Sequence, residues 1–470
     1  MDMKTKKAVY FLAIIGISFF ACNVTKPYQR PALNLPQQYK EVVYSDTANI
    51  ANLSWEYFFT DTTLKSLIRK GIDYNFDLQT AVKRIEIAKQ QLLQSKNLLL
   101  PTINGTISGQ YNRPSENSLN GSFAGLTGSK DYEDYMVGLN LSWEADIWGK
   151  LRSRKKEALL AYLRTYEAKK MVQTQLVAAI ANGYYNLLML DEQLHIADSS
   201  LALAKNTLRQ TQLLKDAGES TSLSVEQTKA QMESVALLLP QLQEKLALQE
   251  NALSQLTGQF PQSIERHAQL SSIQIPAQLT VGIPAAVVSH RPDVRAAEMD
   301  VEIANQKVGI AQANMYPNLN ITANGGLESL KTSNWLNIPG SLFGIVSGSL
   351  VQPLLNQRSL KTDYEVAKIQ REQAVIKFRQ SVVVAVTDVS NALVQLEKLD
   401  EQEKIASSQV ATLAQATNNA SLLYKSGMAN YLEVITAQNN SLQSQLNLVS
   451  NHCQQLIATV SLYSSVGGGW

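Results

Sequence analysis

Asp77-Leu78-Gln79-Thr80-Ala81 and Asp293-Val294-Arg295-Ala296-Ala297 are one passage written twice. The first leads through a run rich in Ala, Leu, Gln and Lys to Leu100-Pro101-Thr102-Ile103, the second to Tyr316-Pro317-Asn318-Leu319. Aligning Pro101 with Pro317 sets an offset of 216 positions, which also lays Ala81 on Ala297 and Ala88 on Ala304. Further on, Asp191-Glu192-Gln193 returns as Asp400-Glu401-Gln402 at an offset of 209. Lys215-Asp216-Ala217-Gly218 returns as Tyr424-Lys425-Ser426-Gly427 at that same offset, and Leu256-Thr257-Gly258 as Ser465-Val466-Gly467. A period this long is a duplicated supersecondary block, not a stack of small solenoid units.

Within each copy the composition alternates between long helical runs and short strand-like ones. Trp55-Glu56-Tyr57-Phe58-Phe59 precedes a short helix at about 61–70, and residues 77–99, free of Gly and Pro, predict another. From Lys150 to Asp216 no proline appears and Gly183 is the sole glycine; at 1.5 Å per residue that is roughly 100 Å of helix. Its twin runs from Ser359 to Lys425. Such length without a globular core implies coiled-coil packing or a helical wall. Each long helix ends at a glycine turn suited to a positive-φ cap, and a helix then returns, at 221–257 and 430–464. The returning helix, about 55 Å, and the helix at 292–315, about 35 Å, together match the long one. That sum predicts two shorter helices stacked beside one continuous helix. The irregular stretch 258–285 falls between them, and Pro240 predicts a kink in the first returning helix.

The strands come in pairs, within 102–147 and within 318–352. Ile103, Gly105 and Ile107 alternate with Asn104, Thr106 and Ser108; Val137, Leu139 and Leu141 alternate with Gly138, Asn140 and Ser142. A period of two over about ten residues fits outer-membrane strands. Tyr135, Trp143 and Trp148 read equally as interfacial anchors or as ordinary packing. Four strands cannot close a barrel, and lipid forbids an open edge. The chain must therefore oligomerise: two copies would give a narrow eight-stranded barrel, three a twelve-stranded one with a passage.

The N-terminus reads as a targeting segment. Lys4, Lys6 and Lys7 form a basic region, Ala8 to Phe20 is a short apolar run, and Phe19-Phe20-Ala21-Cys22 places a small residue before a cysteine. The apolar run is too short for a comfortable span, so cleavage is expected. The Cys22 context resembles a bacterial lipobox, with Phe19 where Leu is usual. Lipidation of Cys22 would supply the two or more acyl chains that stable anchoring needs, and Asn23 favours the outer membrane. Cys453, the other cysteine, is expected to be a buried structural residue, since a lone mature thiol has no intramolecular partner. Removing the three Lys and one Asp of 1–21 leaves 39 basic and 39 acidic residues, with no basic block and no nucleic-acid footprint. The expected division is a signal peptide at 1–21, a lipidated extension at 22–60, repeat 1 at 61–258, a linker at 259–285 and repeat 2 at 286–466.

The order of helix, hairpin, very long helix, glycine turn and returning helix, all duplicated, resembles the TolC-like outer membrane factors, closest to their efflux lipoprotein branch. Arg291-Pro292-Asp293-Val294-Arg295-Ala296-Ala297-Glu298 is the most specific marker, with Trp143-Glu144-Ala145-Asp146-Ile147-Trp148-Gly149-Lys150 and Tyr316-Pro317-Asn318-Leu319 beside it. The resemblance spans about residues 26–465. It implies a mainly helical fold with a membrane β portion: a homotrimer with a twelve-stranded β-barrel continuous with a twelve-helix periplasmic α-barrel. It also implies a periplasmic adaptor and a proton-driven inner-membrane transporter as partners. The outer-membrane duct of a type I protein secretion system shares the architecture, and a structural periplasmic lipoprotein of helical hairpins is a third reading.

Candidate sites follow from the resemblance. Gly218 and Gly427 match the family's tip glycines; Ala217, Glu219 and Ser220 with Ser426, Met428 and Ala429 are implied adaptor contacts, with turn chemistry alone the competing reading. Glu433 matches an acidic gate position and Thr436 stands where some members carry a second carboxylate. A threefold ring of Glu433 would favour cations; a solvated surface glutamate is the alternative. Within the marker, Pro292 and Asp293 are good helix-start signals, so Arg291, Pro292, Asp293, Arg295 and Glu298 are expected to be structural. The four histidines (His195, His267, His290, His452) are scattered, with no ligand pair, nucleophile elbow or phosphate loop. No enzyme activity, metal or cofactor is expected.

Overall fold

The structure, a computed structural model, describes residues 24–33, 35–36, 39, 50, 53–115, 117–119, 121–122, 131–273 and 283–470. The expected signal peptide and Cys22 lie outside the described residues, as do parts of the 22–60 extension and of the linker. The elements in chain order are α1 (Trp55–Phe58), α2 (Thr62–Tyr74), α3 (Phe76–Asn97), β1 (Thr102–Asn112), β2 (Tyr132–Ala145), α4 (Lys150–Asp216) and α5 (Ser222–Leu256). Then come α6 (Pro284–His290), α7 (Pro292–Ala313), β3 (Asn318–Ser329), β4 (Leu342–Val351), α8 (Ser359–Lys425) and α9 (Tyr431–Ser465).

The duplication is obeyed to the residue. Helices α3 and α7 both have 22 residues, α4 and α8 both 67, and α5 and α9 both 35. Their bounds superpose at the offsets read from the sequence, 216 before the strands and 209 after them. The strand registers locate the change of offset: Ile107 pairs with Val137 in the first hairpin, and Ala323 pairs with Val346 in the second. These are the same pair moved by 216 on one strand and by 209 on the other, so the hairpin loop absorbs the difference.

Three local boundaries differ from expectation. Helix α2 continues to Tyr74 because Gly71 does not end it; a Cβ there would stand 2.3 Å from Ile180 Cδ1, so the glycine lets α2 approach α4. Strand β2 stops at Ala145 because Asp146 caps the next helix, its carboxylate accepting from Leu151 N at 2.8 Å and Arg152 N at 3.0 Å. Part of the stretch expected to be irregular forms α6, which opens on Pro284, a residue well suited to a first helical turn.

Two compact units draw on both repeats. The first gathers Met1–Pro31, Glu86–Arg164 and Glu298–Lys377, and holds one antiparallel sheet ordered β1-β2-β3-β4. The second gathers Ala32–Ile85, Thr165–Ala297 and Phe378–Trp470. Its core joins α2, α4, α5 and α9 through Leu64, Ile68, Ile180, Tyr184, Leu187, Leu253 and Val460, all nearly or fully buried. Each such side chain contributes about 1.5–3 kcal/mol by leaving water. Gly183 belongs to this core: a Cβ there would lie 2.8 Å from Leu253 Cδ2, which explains a glycine in mid-helix. Phe58 stacks on Tyr463 with centroids 3.9 Å apart, and the Tyr463 hydroxyl donates to Leu53 O at 2.6 Å.

Candidate functional site

The sheet sorts its side chains by register. Leu139 stands opposite Gly105 and Gly325, Leu141 opposite Ile103 and Ala323, and Leu319 opposite Leu350, all on one face. On the other, Asn140 stands opposite Asn104 and Asn324, and Thr322 opposite Ser142 and Ser347. The polar face is knitted by Asn140 Nδ2 donating to Thr106 Oγ1 at 2.6 Å and by a Thr322–Ser347 hydroxyl bond at 2.7 Å. The apolar face is bare: Ile107 is 76% exposed and Val346 80%. A sheet with one greasy exposed face and one polar exposed face suits lipid on one side and water on the other. A few apolar residues interrupt the polar face, among them Phe343, whose ring lies over Gly138.

The aromatic residues at the strand ends are packed and satisfied. Trp143 Nε1 donates to Leu99 O at 3.0 Å, and Trp148 Nε1 donates to Pro317 O at 2.8 Å. Trp148 also stacks on Tyr316, with centroids 4.8 Å apart. The Trp148 turn thus joins the end of repeat 1 to the Tyr316-Pro317 opening of the second hairpin.

The glycine turns form two tips of one construction. Gly218 and Gly427 have φ of +81° and +72°, with open space where a Cβ would stand. At the first, Glu219 N donates to Leu214 O at 2.8 Å and Gly218 N to Lys215 O at 2.9 Å. At the second, Met428 N donates to Leu423 O at 2.8 Å and Gly427 N to Tyr424 O at 3.1 Å. Both are Schellman caps, which satisfy the last carbonyls of a helix. The exposed tip residues are Ala217, Gly218, Glu219, Ser426, Gly427 and Met428, with Ser220 and Ala429 half-buried.

The returning helices then begin differently. Thr221 caps α5 by accepting from Ser224 N at 3.2 Å. Asn430 caps α9 by accepting from Leu432 N at 2.9 Å and Glu433 N at 3.1 Å, while Asn430 N donates to Glu433 Oε2 at 2.9 Å. That reciprocal pair is a capping box. Glu433 and Thr436 are both exposed, and the carboxylate of Glu433 lies beside the positive end of α9. The two tip hairpins are laced together by Thr211 and Tyr424 hydroxyls 2.9 Å apart, by Gln438 donating to Thr207 at 2.9 Å, and by the Tyr431 hydroxyl donating to Gln227.

The marker at residues 291–298 forms two ion-pair clusters. Arg291 donates to Asp293 at 2.7 Å and 3.0 Å, to Asp388 at 2.9 Å, and to the carbonyl of Ser465 at 3.0 Å. Burial works against its charge, yet the bonds to Asp293 and then Asp388 outweigh it and hold the guanidinium above its ordinary value. Arg291 thus ties the start of α7 to the last carbonyl of α9. Its counterpart in the first repeat, Asn75, does the same with a neutral amide: Nδ2 donates to Leu256 O at 3.0 Å, and Oδ1 accepts from Leu78 N at 3.0 Å. Glu298 accepts from Arg30 at 2.9 Å and from the Tyr28 hydroxyl at 3.3 Å, and Arg295 lies 3.7 Å from Glu167.

The N-terminal strap was not legible as a contact. Val24 N donates to Trp148 O at 3.4 Å, Thr25 and Ser153 hydroxyls lie 2.7 Å apart, and Asn305 Nδ2 donates to Lys26 O at 2.9 Å. Arg266, also unforeseen, makes charge pairs with Asp191 and Glu250. The one signal for it in the sequence is an arginine in a Pro-bounded stretch beside a repeated Asp-Glu-Gln passage. Cys453 is buried and free, and burial pushes its thiol up to about 12. His195 and His267 are exposed, His290 stacks on Trp470, and His452 Nδ1 lies 3.1 Å from Glu403. No group of three or more metal-ligating side chains occurs among the described residues.

Residues 67–259 and 283–468 match a protein family described as outer membrane efflux protein. The cation efflux system protein CusC of Escherichia coli is 27% identical over 463 residues, 97% of each chain. The toluene efflux pump outer membrane protein TtgC of Pseudomonas putida is 27% identical over 471 residues, 99% of this chain and 96% of its own. SilC of Salmonella typhimurium, a probable outer membrane lipoprotein, is 25% identical and covers 95% of each chain. Among solved structures, CusC superposes with a TM-score of 0.84 at 26% identity, covering 95% of this chain and 100% of its own. The open-state MtrE channel of Neisseria gonorrhoeae shares the fold, with a TM-score of 0.85 at 24% identity over 95% of this chain and 98% of its own.

Proposed function

The chain belongs to the outer membrane efflux protein family, and from that membership we propose that it works as the outer-membrane exit duct of a tripartite efflux pump. It passively conducts small molecules, drugs or metal ions, from a periplasmic pump complex to the exterior. The observation that carries this reading is the sheet with one apolar and one polar exposed face, a wall that needs lipid outside and water inside. Three copies close twelve strands into a barrel and continue it as a twelve-helix periplasmic tunnel, with Cys22 acylated in the outer membrane. The efflux relatives, one of them called a lipoprotein, support that placement. Transport energy comes from an inner-membrane proton-driven transporter through a periplasmic adaptor, because the chain offers no nucleotide site.

The repeats, 61–258 and 286–466, give six near-equivalent units, and the tips are where that likeness breaks. The adaptor contacts the exposed Gly218 and Gly427 turns, and Glu433 rings the narrow end with negative charge that favours cations. Planar-bilayer recording on the purified full-length protein tests the duct: channels are expected, and no conductance under any condition would sink it. Glu433→Ala should lower cation selectivity or divalent-ion block. Unchanged selectivity would return Glu433 to a purely local capping role.

A further inference from the structure

The two outer edges of the chain are the two halves of one seam, and the seam inside the chain gives its register. Strands β1 and β4 each have one unpaired edge, whereas β2 and β3 pair with each other across the repeats. Moving a β2 residue by 209 gives its counterpart in β4, and moving a β3 residue back by 216 gives its counterpart in β1. Applied to the internal seam, Val137–Leu327 becomes Val346–Tyr111, and Leu139–Gly325 becomes Gly348–Gly109. Leu141–Ala323 becomes Leu350–Ile107, and Asn140–Asn324 becomes Ser349–Ser108. Every transformed pair keeps apolar opposite apolar and polar opposite polar. A shift by a single residue would put each greasy side chain into the water-filled face.

Two further observations point to the same partner edge. Strand β2 runs to Ala145, whose counterpart is Leu354, but β4 stops at Val351. The missing end holds Leu354 and Leu355, 88% and 98% exposed. The transformed register carries Ala145–Leu319 to Leu354–Ile103, so the second copy supplies the strand on which β4 completes itself. The helices repeat the pattern. On α4, Leu160, Glu167 and Thr174 are buried at a spacing of seven; their counterparts on α8, Ile369, Ile376 and Val383, are 56%, 64% and 64% exposed.

We propose that a second copy of this chain seats its β1 edge and its α3 helix on the β4 edge and α8 helix of the first, in this register. The proposal rests on the barrel reading above and deepens it, because it predicts a chemistry that differs from the internal seam. Inside the chain, α4 meets α7 through Arg164–Asp300 at 2.9 Å, Arg295–Glu167 at 3.7 Å and Lys307–Glu157 at 3.9 Å. The same transformation turns these into Gln373 with Arg84, Ile376 with Gln79, and Val366 with Gln91 of the second copy. The seam between copies therefore carries no ion pair at three places where the internal seam has one.

Paired cysteines at Ser349 and Ser108 in the full-length protein in its native outer membrane test the register. Directly opposed strand residues bring Cα atoms to about 4.5–5.5 Å, within disulfide reach. Oxidation should convert most of the monomer band to dimers and closed trimers on non-reducing gels. The shifted pair Ser347 and Ser108 should not cross-link. If the shifted pair links and the first does not, the register is wrong while the trimer stands. If neither links in a protein that amine cross-linking shows to be trimeric, the edge pairing is overturned. A protein that stays monomeric in the membrane overturns the barrel reading itself. Ile376→Glu should lose the trimer and Ile376→Glu with Gln79→Arg should recover it; equal trimer in all three proteins overturns the helical half of the seam.

Discussion

Helices α3 and α7 are the same helix by descent and by length, yet sixteen of the 22 residues of α3 are exposed, against Lys307 alone in α7. The difference is one of neighbours. Helix α7 is flanked by the ion pairs to α4 and by the strap at Thr25, Lys26, Tyr28 and Arg30. Helix α3 keeps a single buried stripe through Leu78, Ala81, Ala88 and Leu92. Duplication set two equal modules side by side, and selection then gave each a separate job: one sealed inside the chain, one left open to meet another copy. The same division separates Arg291 from Asn75. Both side chains hold the last carbonyl of a returning helix, one with a buried charge and two carboxylates, the other with an amide.

That contrast is sharpest under substitution. Arg291→Ala leaves Asp293 and Asp388 without their counter-ion and Ser465 O without its donor. A partner removed from a buried charge cluster typically costs about 3–5 kcal/mol. Asn75→Ala removes a neutral cap and one hydrogen bond, a loss of about 1–2 kcal/mol. Thermal unfolding of the detergent-solubilised protein should therefore separate the two variants clearly. Equal losses would mean that the carboxylates at Arg291 add nothing to the clamp. Arg291→Lys should recover only part of the stability, because an ammonium lacks the planar fork that spans both oxygens of Asp293.

A smaller effect of opposite sign is expected where the copies disagree about glycine. Each long helix is preceded by a residue at positive φ: Gly149 at +77° and its counterpart Arg358 at +66°. Gly149→Ala should cost about 1–2 kcal/mol, the penalty of a Cβ in the left-handed region. Arg358→Gly should relieve that penalty, stabilising by at most about 1 kcal/mol once the added freedom of the unfolded chain is counted. If Arg358→Gly destabilises instead, the arginine side chain makes a contact in the assembly that outweighs its backbone strain.

The division between what the residues disclosed and what they hid follows the range of the interactions. Strand faces, helix lengths and both glycine turns are set by near neighbours in sequence, so period, proline and glycine reveal them: Lys150–Asp216 and Ser359–Lys425 run as read. The continuation of α2 past Gly71 was hidden because the reason for that glycine lies on Ile180, more than a hundred residues away. Helix α6 was hidden by the Pro-rich composition around it. At the candidate sites, the capping box at Asn430 and Glu433 is local and follows the expected turn geometry, whereas the grip of Arg291 on Asp388 and Ser465 joins three separate segments. Glu298 was visible as a motif residue, but Tyr28 and Arg30 carry no periodic signal that would name it as their partner.

The smallest effect tests the tip, where the two copies differ by a single charge. Position N3 of α5 is Ser224 and that of α9 is Glu433. Glu433→Gln keeps an oxygen that can accept from Asn430 N, so the box closes, but the charge beside the helix end is gone. The stability lost should be about 0.3–1 kcal/mol at low salt, fading as ionic strength rises and screening sets in. Ser224→Glu, placing a carboxylate at the matching point of the first tip, should give a gain no larger than that. Cation selectivity separates the local role from the ring role. A capping residue alone would move stability and leave reversal potentials unchanged in both variants. A charged ring at the narrow end predicts the reverse weighting: selectivity falls in Glu433→Gln and rises in Ser224→Glu, while melting barely moves.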